Sequence, residues 1–317
     1  MSNGDRPLVM GVLNVTPDSF SDGGRYSALD AAVARGQEMA DEGADVVDVG
    51  GESTRPGAVP VPEEEELRRV VPVVEALAGR VRVSVDTVKP GVARAAVAAG
   101  ATLLNDISGT MWPVAAELSV GWVGMHMRGT PQTMQSLTDY DDVGREVRDH
   151  LLTCADRAAR AGVPEVWVDP GIGFAKTAAQ NLSLLSCLDA LVVDAGRHGA
   201  RVLVGTSRKS FLGRVALAAP APSALASSVL DRFEPSLATA VWAMAAGVQM
   251  VRVHDVAATV QAAVLVGAPT GGSCGSNAAS SGAGDGDGNA DGNRDGIGGS
   301  TTGPATKRRH SERNPAA

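Results

Sequence analysis

The sequence predicts an α/β protein built as a single closed (β/α)8 barrel. Three observations carry that prediction: eight short apolar runs alternate with alanine-rich helical segments, each run ends in a polar or glycine-rich loop, and the repeating part has the right length. The unit is clearest at 81–87, where Val81, Val83 and Val85 alternate with Arg82, Ser84 and Asp86, the period-2 pattern of a strand. Lys89-Pro90 follows, a Pro suited to the first helical turn, and an Ala/Val-rich segment closes at Gly100.

The other units follow in order. Leu8 to Leu13 reads as the first strand, with a turn-rich loop from Asn14 to Gly24 and a helix from Ala28 to Glu42 stopped by Gly43. Val46 to Val49 is the second strand and 50–57 its loop; the next helix starts near Pro62, with Glu63 to Glu66 at its positive end. Thr102 to Asn105 is strand four, followed by a short helix. Trp122 to Met125 is strand five with a helix over 143–161, and Val166 to Asp169 is strand six with a helix over 180–194. Val202 to Val204 is strand seven, and the poorly periodic stretch 217–229 reads as a surface excursion. A helix over 236–246 precedes strand eight, Met250 to Val253, and a last helix begins at His254-Asp255 and fades by Val266. Short, near-continuously apolar strands alternating with helices favour a parallel sheet, and eight of them favour closure.

From Gly267 onward the composition changes. Residues 271–306 are nearly all Gly, Ser, Thr, Ala, Asn and Asp, which bury too little apolar surface to offset the entropy of ordering. The expected organisation is a barrel domain over 1–266, close to the usual length of about 250, and a disordered low-complexity tail over 267–317. The net charge is −8, and the tail's five acidic and five basic residues cancel. An acidic body argues against nucleic-acid binding, and an anionic substrate there needs a local cluster of cations. Three cysteines without metal or redox spacing fit a reducing cytoplasm. No segment approaches a membrane span, and the N-terminus has no secretory pattern.

Several strand ends carry chemistry. Asp86, Asn105 and Asp169 all stand at C-terminal ends of strands, where each Asp alone would also serve as a helix cap. Arg252 and His254 are two apart on the last strand, so both point to one side, near the loops where such barrels often bind phosphate. Lysine occurs only at 89, 176, 209 and 307 while arginine is plentiful. Lys176 and Lys209, both in glycine-bearing loops, therefore suggest roles that arginine would not fill; for Lys176 a structural salt bridge is equally compatible.

Eight ordered motifs, Leu13 to Gly24, Asp48 to Gly57, Ser84 to Thr87, Asn105 to Gly109, Met125 to Met127, Asp169 to Phe174, Ser207 to Ser210 and Arg252 to Asp255, together resemble the dihydropteroate synthases. The resemblance covers about residues 8 to 266. It implies a TIM barrel that condenses 6-hydroxymethyl-7,8-dihydropterin pyrophosphate with p-aminobenzoate. By resemblance, Asp86, Asn105 and Asp169 hold the pterin, Ile107, Met125 and Phe174 wall it, and Lys209 meets its carbonyl. Asn14, Thr54, Arg55, Arg252 and His254 meet the diphosphate, with Mg2+ held through Asn14 and diphosphate oxygens. Phe20, Thr54, Pro56, Phe174, Ser207, Lys209 and Ser210 form the p-aminobenzoate pocket, and Asp22 orients the amine. The first two loops close over the substrates, and a cytoplasmic homodimer is implied.

Two other readings share part of this pattern. A corrinoid-dependent pterin methyltransferase has the same Asp/Asn/Asp edge but no need of Ser207 to Lys209 or of Arg252 with His254. A silent pterin-binding paralogue working through its tail should have degraded first and second loops, and here both are intact. One departure stands out: Phe233 to Leu237 replaces the Gly-Thr pair usual in the family, which puts the start of that helix and the dimer surface in question.

Overall fold

Eight parallel strands close into a barrel in chain order. They are β1 (Leu8–Asn14), β2 (Val46–Gly50), β3 (Arg82–Asp86), β4 (Leu103–Asp106), β5 (Gly121–Met125), β6 (Val166–Asp169), β7 (Ala200–Val204) and β8 (Met250–Val253), and β8 pairs with β1 to complete the ring. The computed structural model describes residues 6–16, 25–218 and 232–268. The expected tail from 269 onward lies outside these, as do the loop residues Phe20 and Asp22.

The barrel interior explains where the site lies. Met10, Val46, Leu103, Val123, Trp167, Leu203 and Met250 form a closed apolar layer inside it, each no more than 1% exposed. Strand side chains alternate between faces, so the residue two positions further along points into the same interior, nearer the C-terminal mouth. Those residues are Val12, Asp48, Asn105, Met125, Asp169, Gly205 and Arg252. Asp86 stands at the same level, in register with Asn105 on the next strand. One apolar layer thus seals the barrel beneath a level that carries three carboxylates, a carboxamide and a guanidinium. The intervening residues, such as Val47, Val85, Val168 and Val251, face outward and pack with the helices in the larger core.

The surrounding helices are α1 (Arg25–Asp41), α2 (Glu63–Leu77), α3 (Pro90–Ala98), α4 (Trp112–Leu118), α5 (Val143–Arg160), α6 (Ala178–Ser186), α7 (Leu188–Arg197), α8 (Ser210–Ala218), α9 (Phe233–Ala245) and α10 (Val256–Val266). One expectation changes. The single helix over 180–194 is two, α6 and α7, parted at Cys187, whose φ of −111° and ψ of 13° leave the helical region. A capping box of Thr177 and Gln180 starts α6. After strand seven comes α8, anchored by buried Phe211 and Leu212; apart from its first two residues, which end α8, the expected excursion over 217–229 lies outside the described set. The unusual segment at 233–237 is the start of α9. Pro235 fits there because the first-turn N–H groups have no intrahelical acceptor to lose. Among the described residues, no helix is long and apolar enough to cross a membrane.

Candidate active site

The floor of the C-terminal mouth is a hydrogen-bonded ionic cluster. Arg252 donates from Nε to Asp48 Oδ2 at 2.7 Å and from Nη2 to Asp86 Oδ2 at 2.8 Å. Asn105 Nδ2 donates to the same Asp48 oxygen at 2.8 Å. Because a carboxylate only accepts, this bond fixes the Asn105 amide with its oxygen turned the other way. Asp48 is fully buried, and its Oδ1 has no partner. Among the described residues nothing donates to Asp86 Oδ1 or Asn105 Oδ1. Burial drives the Asp86 carboxyl well above the ordinary carboxylate range; Arg252 opposes the rise and the neighbouring Asp48 adds to it. Asp86 therefore does not cap α3: the cap position is Lys89, which makes no side-chain capping bond.

The opposite wall comes from the loops after β6 and β7. Asp169 Oδ1 accepts from Gly171 N at 2.8 Å, leaving Oδ2 without a donor among the described residues. Burial raises its pKa against the pull of Lys209. Lys209 donates to the Ile172 carbonyl and lies 4.5 Å from the centroid of the Phe174 ring. Burial lowers its pKa to about 8, with Asp169 opposing and Arg252 adding to the fall. Ile107 and Met125 are buried at strand ends, and Phe174 is half-buried at the edge. Among the described residues Lys176 forms no salt bridge; backbone carbonyls and a histidine surround its ammonium.

The rim holds the remaining expected groups. Ser207 Oγ accepts from His254 N at 3.2 Å and lies 3.0 Å from His254 Nδ1. With one proton and two lone pairs, the Ser207 hydroxyl is able to donate to Nδ1 or to accept from it, so this contact is compatible with either neutral tautomer. Burial, then Arg252 and Arg208, lower the His254 pKa to about 4, so the ring is neutral. Arg55 is exposed yet close enough to add to that shift. Thr54 is half-buried and Pro56 exposed on the same loop. That loop is fastened at its base, where Glu52 Oε2 accepts from Val61 N at 2.8 Å and from Lys89 at 2.5 Å. It is fastened again further on, where Gly57 N reaches Pro131 O at 3.0 Å. Asn14, half-buried at the end of β1, is in register with Gly50. Ser210 is exposed at the start of α8.

Sequence reasoning assigned no role to Asp48, although it supplies the cluster's central acceptor. The available signal was a carboxylate amid the apolar residues of β2, two places after an inward valine. The mouth as a whole offers uncommitted acceptors on Asp48, Asp86, Asn105 and Asp169 opposite an ammonium donor, a complement for a flat ring rich in N–H groups and bearing one carbonyl.

Comparison with known proteins agrees. The sequence pattern of the family described as pterin binding enzyme matches residues 10–254. A dihydropteroate synthase of Synechocystis sp. is 46% identical over 267 residues, covering 81% of this chain and 88% of that protein. The structure of Xanthomonas albilineans dihydropteroate synthase with 4-aminobenzoic acid superposes with a TM-score of 0.72 at 45% identity, covering 82% of this chain and 92% of that one. The same enzyme in complex with 7,8-dihydropteroate gives a TM-score of 0.69 at 42% identity, covering 82% and 92%. A barrel with this mouth, matched over most of its length by such relatives, belongs to the dihydropteroate synthase family of pterin binding enzymes.

Proposed function

We infer that the chain condenses 6-hydroxymethyl-7,8-dihydropterin pyrophosphate with p-aminobenzoate, giving 7,8-dihydropteroate and pyrophosphate. The observation that carries this reading is the set of uncommitted oxygens on Asp86, Asn105 and Asp169 facing Lys209 around one mouth. These oxygens accept from the pterin's N–H groups and Lys209 donates to its carbonyl. The aniline nitrogen of p-aminobenzoate then attacks the pterin methylene carbon. A C–N bond forms, the C–O bond breaks with its electron pair on the diphosphate, and the amine releases a proton to solvent.

No protein nucleophile is needed; the protein holds the ring, orients the amine and stabilises the leaving group. Arg252 and Arg55 supply positive charge to the diphosphate, and neutral His254 supplies a hydrogen bond from Nε2 in the tautomer that accepts from Ser207 at Nδ1. The Thr54 to Pro56 segment borders both substrates, and Phe174, Lys209 and Ser210 line the p-aminobenzoate side. Ser207 acts by holding His254. Among the described residues no group of His, Cys, Asp and Glu could hold a metal by itself. The Asn14 amide at the end of β1 suits a magnesium ion carried largely by substrate oxygens. The Asn14 side-chain oxygen would hold it, and the ion would neutralise charge on the departing diphosphate. The homodimer and cytoplasmic location belong to the same proposal.

The direct test is pyrophosphate release when the pterin diphosphate, p-aminobenzoate and Mg2+ are mixed with the folded chain. Release that requires all three supports the reading; background release from folded protein that still binds a pterin leaves a silent pterin-binding protein instead.

A further inference from the structure

Lys176 is only 4% exposed and takes no part in the chemistry above. Four acceptors surround its Nζ: Phe174 O at 3.0 Å, Gly171 O at 3.1 Å, His126 Nδ1 at 3.1 Å and His126 O at 3.4 Å. An ammonium has three protons, so this is a cage of carbonyls and an imidazole, with no carboxylate among the described residues in hydrogen-bonding reach. Such burial disfavours the charge, and the pKa falls to about 7 although Asp169 opposes the fall. The imidazole of His126 is held neutral by burial and by the ammonium, its pKa lowered to about 3, so it serves as an acceptor. A planar guanidinium does not fit a compact cage of this kind, which accounts for lysine in a chain that otherwise uses arginine.

The cage joins two segments, the end of β5 and the loop after β6. That loop folds through three left-handed residues, Gly171 (φ 66°), Gly173 (φ 86°) and Ala175 (φ 49°). The segments touch where Lys176 ties them: a Cβ on Gly171 would stand 2.0 Å from His126 O. The loop so held sets the Phe174 ring against the Lys209 ammonium and turns the Ile172 carbonyl onto Lys209. Contacts therefore run from Lys176, through the carbonyls of 171 and 174, to Phe174 and Lys209. Asp48, Asp86 and Asn105 lie on β2, β3 and β4, outside this chain of contacts.

We propose that Lys176 is a positioning residue for the second substrate, its caged ammonium fixing the loop whose Phe174 ring and Ile172 carbonyl shape the p-aminobenzoate side of the pocket. The proposal rests on the synthase reading given above. It is tested in the full chain with Lys176→Met, by steady-state kinetics in both substrates and by the Kd of a free pterin. The KM for p-aminobenzoate should rise at least tenfold, with kcat at saturation within threefold of the parent and the pterin Kd, which also depends on Asp86 and Asn105, rising severalfold less than that KM. A p-aminobenzoate KM within twofold of the parent overturns the proposal, and so does an equal loss for both substrates. Lys176→Gln, which keeps two N–H donors without the charge, should give a smaller rise in the same KM and decides the matter if the Met variant does not fold. Failure of both variants to fold makes Lys176 a stability residue and also overturns the proposal. An unmodified chain that releases no pyrophosphate would instead remove the synthase reading, and the pterin Kd separates the two failures.

Discussion

The two mouths of the barrel both carry charge contributed by strands. At the N-terminal mouth, Glu165 accepts from Arg82 and Arg201 and from Trp167 Nε1 at 2.9 Å, while Arg201 lies 4.2 Å over the Trp167 ring. Burial alone would raise the Glu165 carboxyl, but hydrogen bonds from Arg82 and Trp167 and the charges of both arginines hold it below its ordinary range. At the C-terminal mouth, one arginine faces two carboxylates, and oxygens of Asp48, Asp86 and Asn105 are left without donors among the described residues. There, burial shifts Asp86, Asp169 and Lys209 toward their neutral forms. Charge at a strand end therefore does not mark a site. Hydrogen-bonding capacity left over after the protein has satisfied itself does, and the displaced pKa values follow from it.

Removing the central cation of each mouth should widen this contrast most. Arg252→Met leaves Asp48 and Asp86 buried without their partner. Pyrophosphate release should fall on the order of 10³-fold, and stability should fall by about 3 kcal/mol, the lower end for a broken buried pair. The lower end is expected because Asp86, already displaced upward, can take up a proton. Arg82→Met removes a cation that is 31% exposed; it should leave kcat/KM within about twofold and stability within about 1 kcal/mol. Equal losses of activity from the two changes would erase the distinction. Within the C-terminal cluster, Asp48→Asn keeps the shape but weakens the hold on Arg252 and lets the Asn105 amide turn. Hydrogen bonds to charged groups contribute about 1.5–3 kcal/mol, so calorimetry should show pterin affinity roughly 10- to 100-fold weaker.

Much of the site was readable because Asp86, Asn105, Asp169 and Arg252 each stand at the C-terminal end of a short apolar run, and a closed parallel barrel brings such ends to one mouth. What the sequence withheld was mutual satisfaction. Nothing in the chain order shows that Asp48 is the acceptor shared by Arg252 and Asn105, 204 and 57 residues away. Nor could spacing reveal that Lys176 binds carbonyls rather than a carboxylate, since backbone acceptors have no sequence signature. The fold shows the same limit. The break at Cys187 lies between two helices of similar composition, and α8 is too short and too uniformly apolar to display a helical period.

Titration probes the same contrast with a smaller effect. Asp86 must be ionised to accept from the ring, so its raised pKa makes kcat/KM fall as pH drops while still above the ordinary carboxylate range. Lys209 is a charge-assisted donor only while protonated, so activity falls again as pH rises through about 8. Each limb should approach about tenfold per pH unit. Glu165 is displaced downward, and Glu165→Gln should leave both limbs in place. A flat profile across neutral pH would show that the C-terminal groups are not titrating as their burial requires.

The smallest change is expected at the rim. Arg55 is exposed on a loop fastened at Glu52 and Gly57, so it differs from Arg252 in solvation although the proposed function assigns both to the diphosphate. An exposed charge contributes at most about 1 kcal/mol, or about fivefold, and salt screens it over about 8 Å at physiological ionic strength. Arg55→Ala should therefore raise the KM for the pterin diphosphate by about fivefold at low salt, less at high salt, with stability within about 0.5 kcal/mol of the parent. A loss comparable to that of Arg252→Met, insensitive to salt, would mean that the loop folds over the substrate and buries Arg55 with it. The rim would then become as enclosed as the floor during turnover.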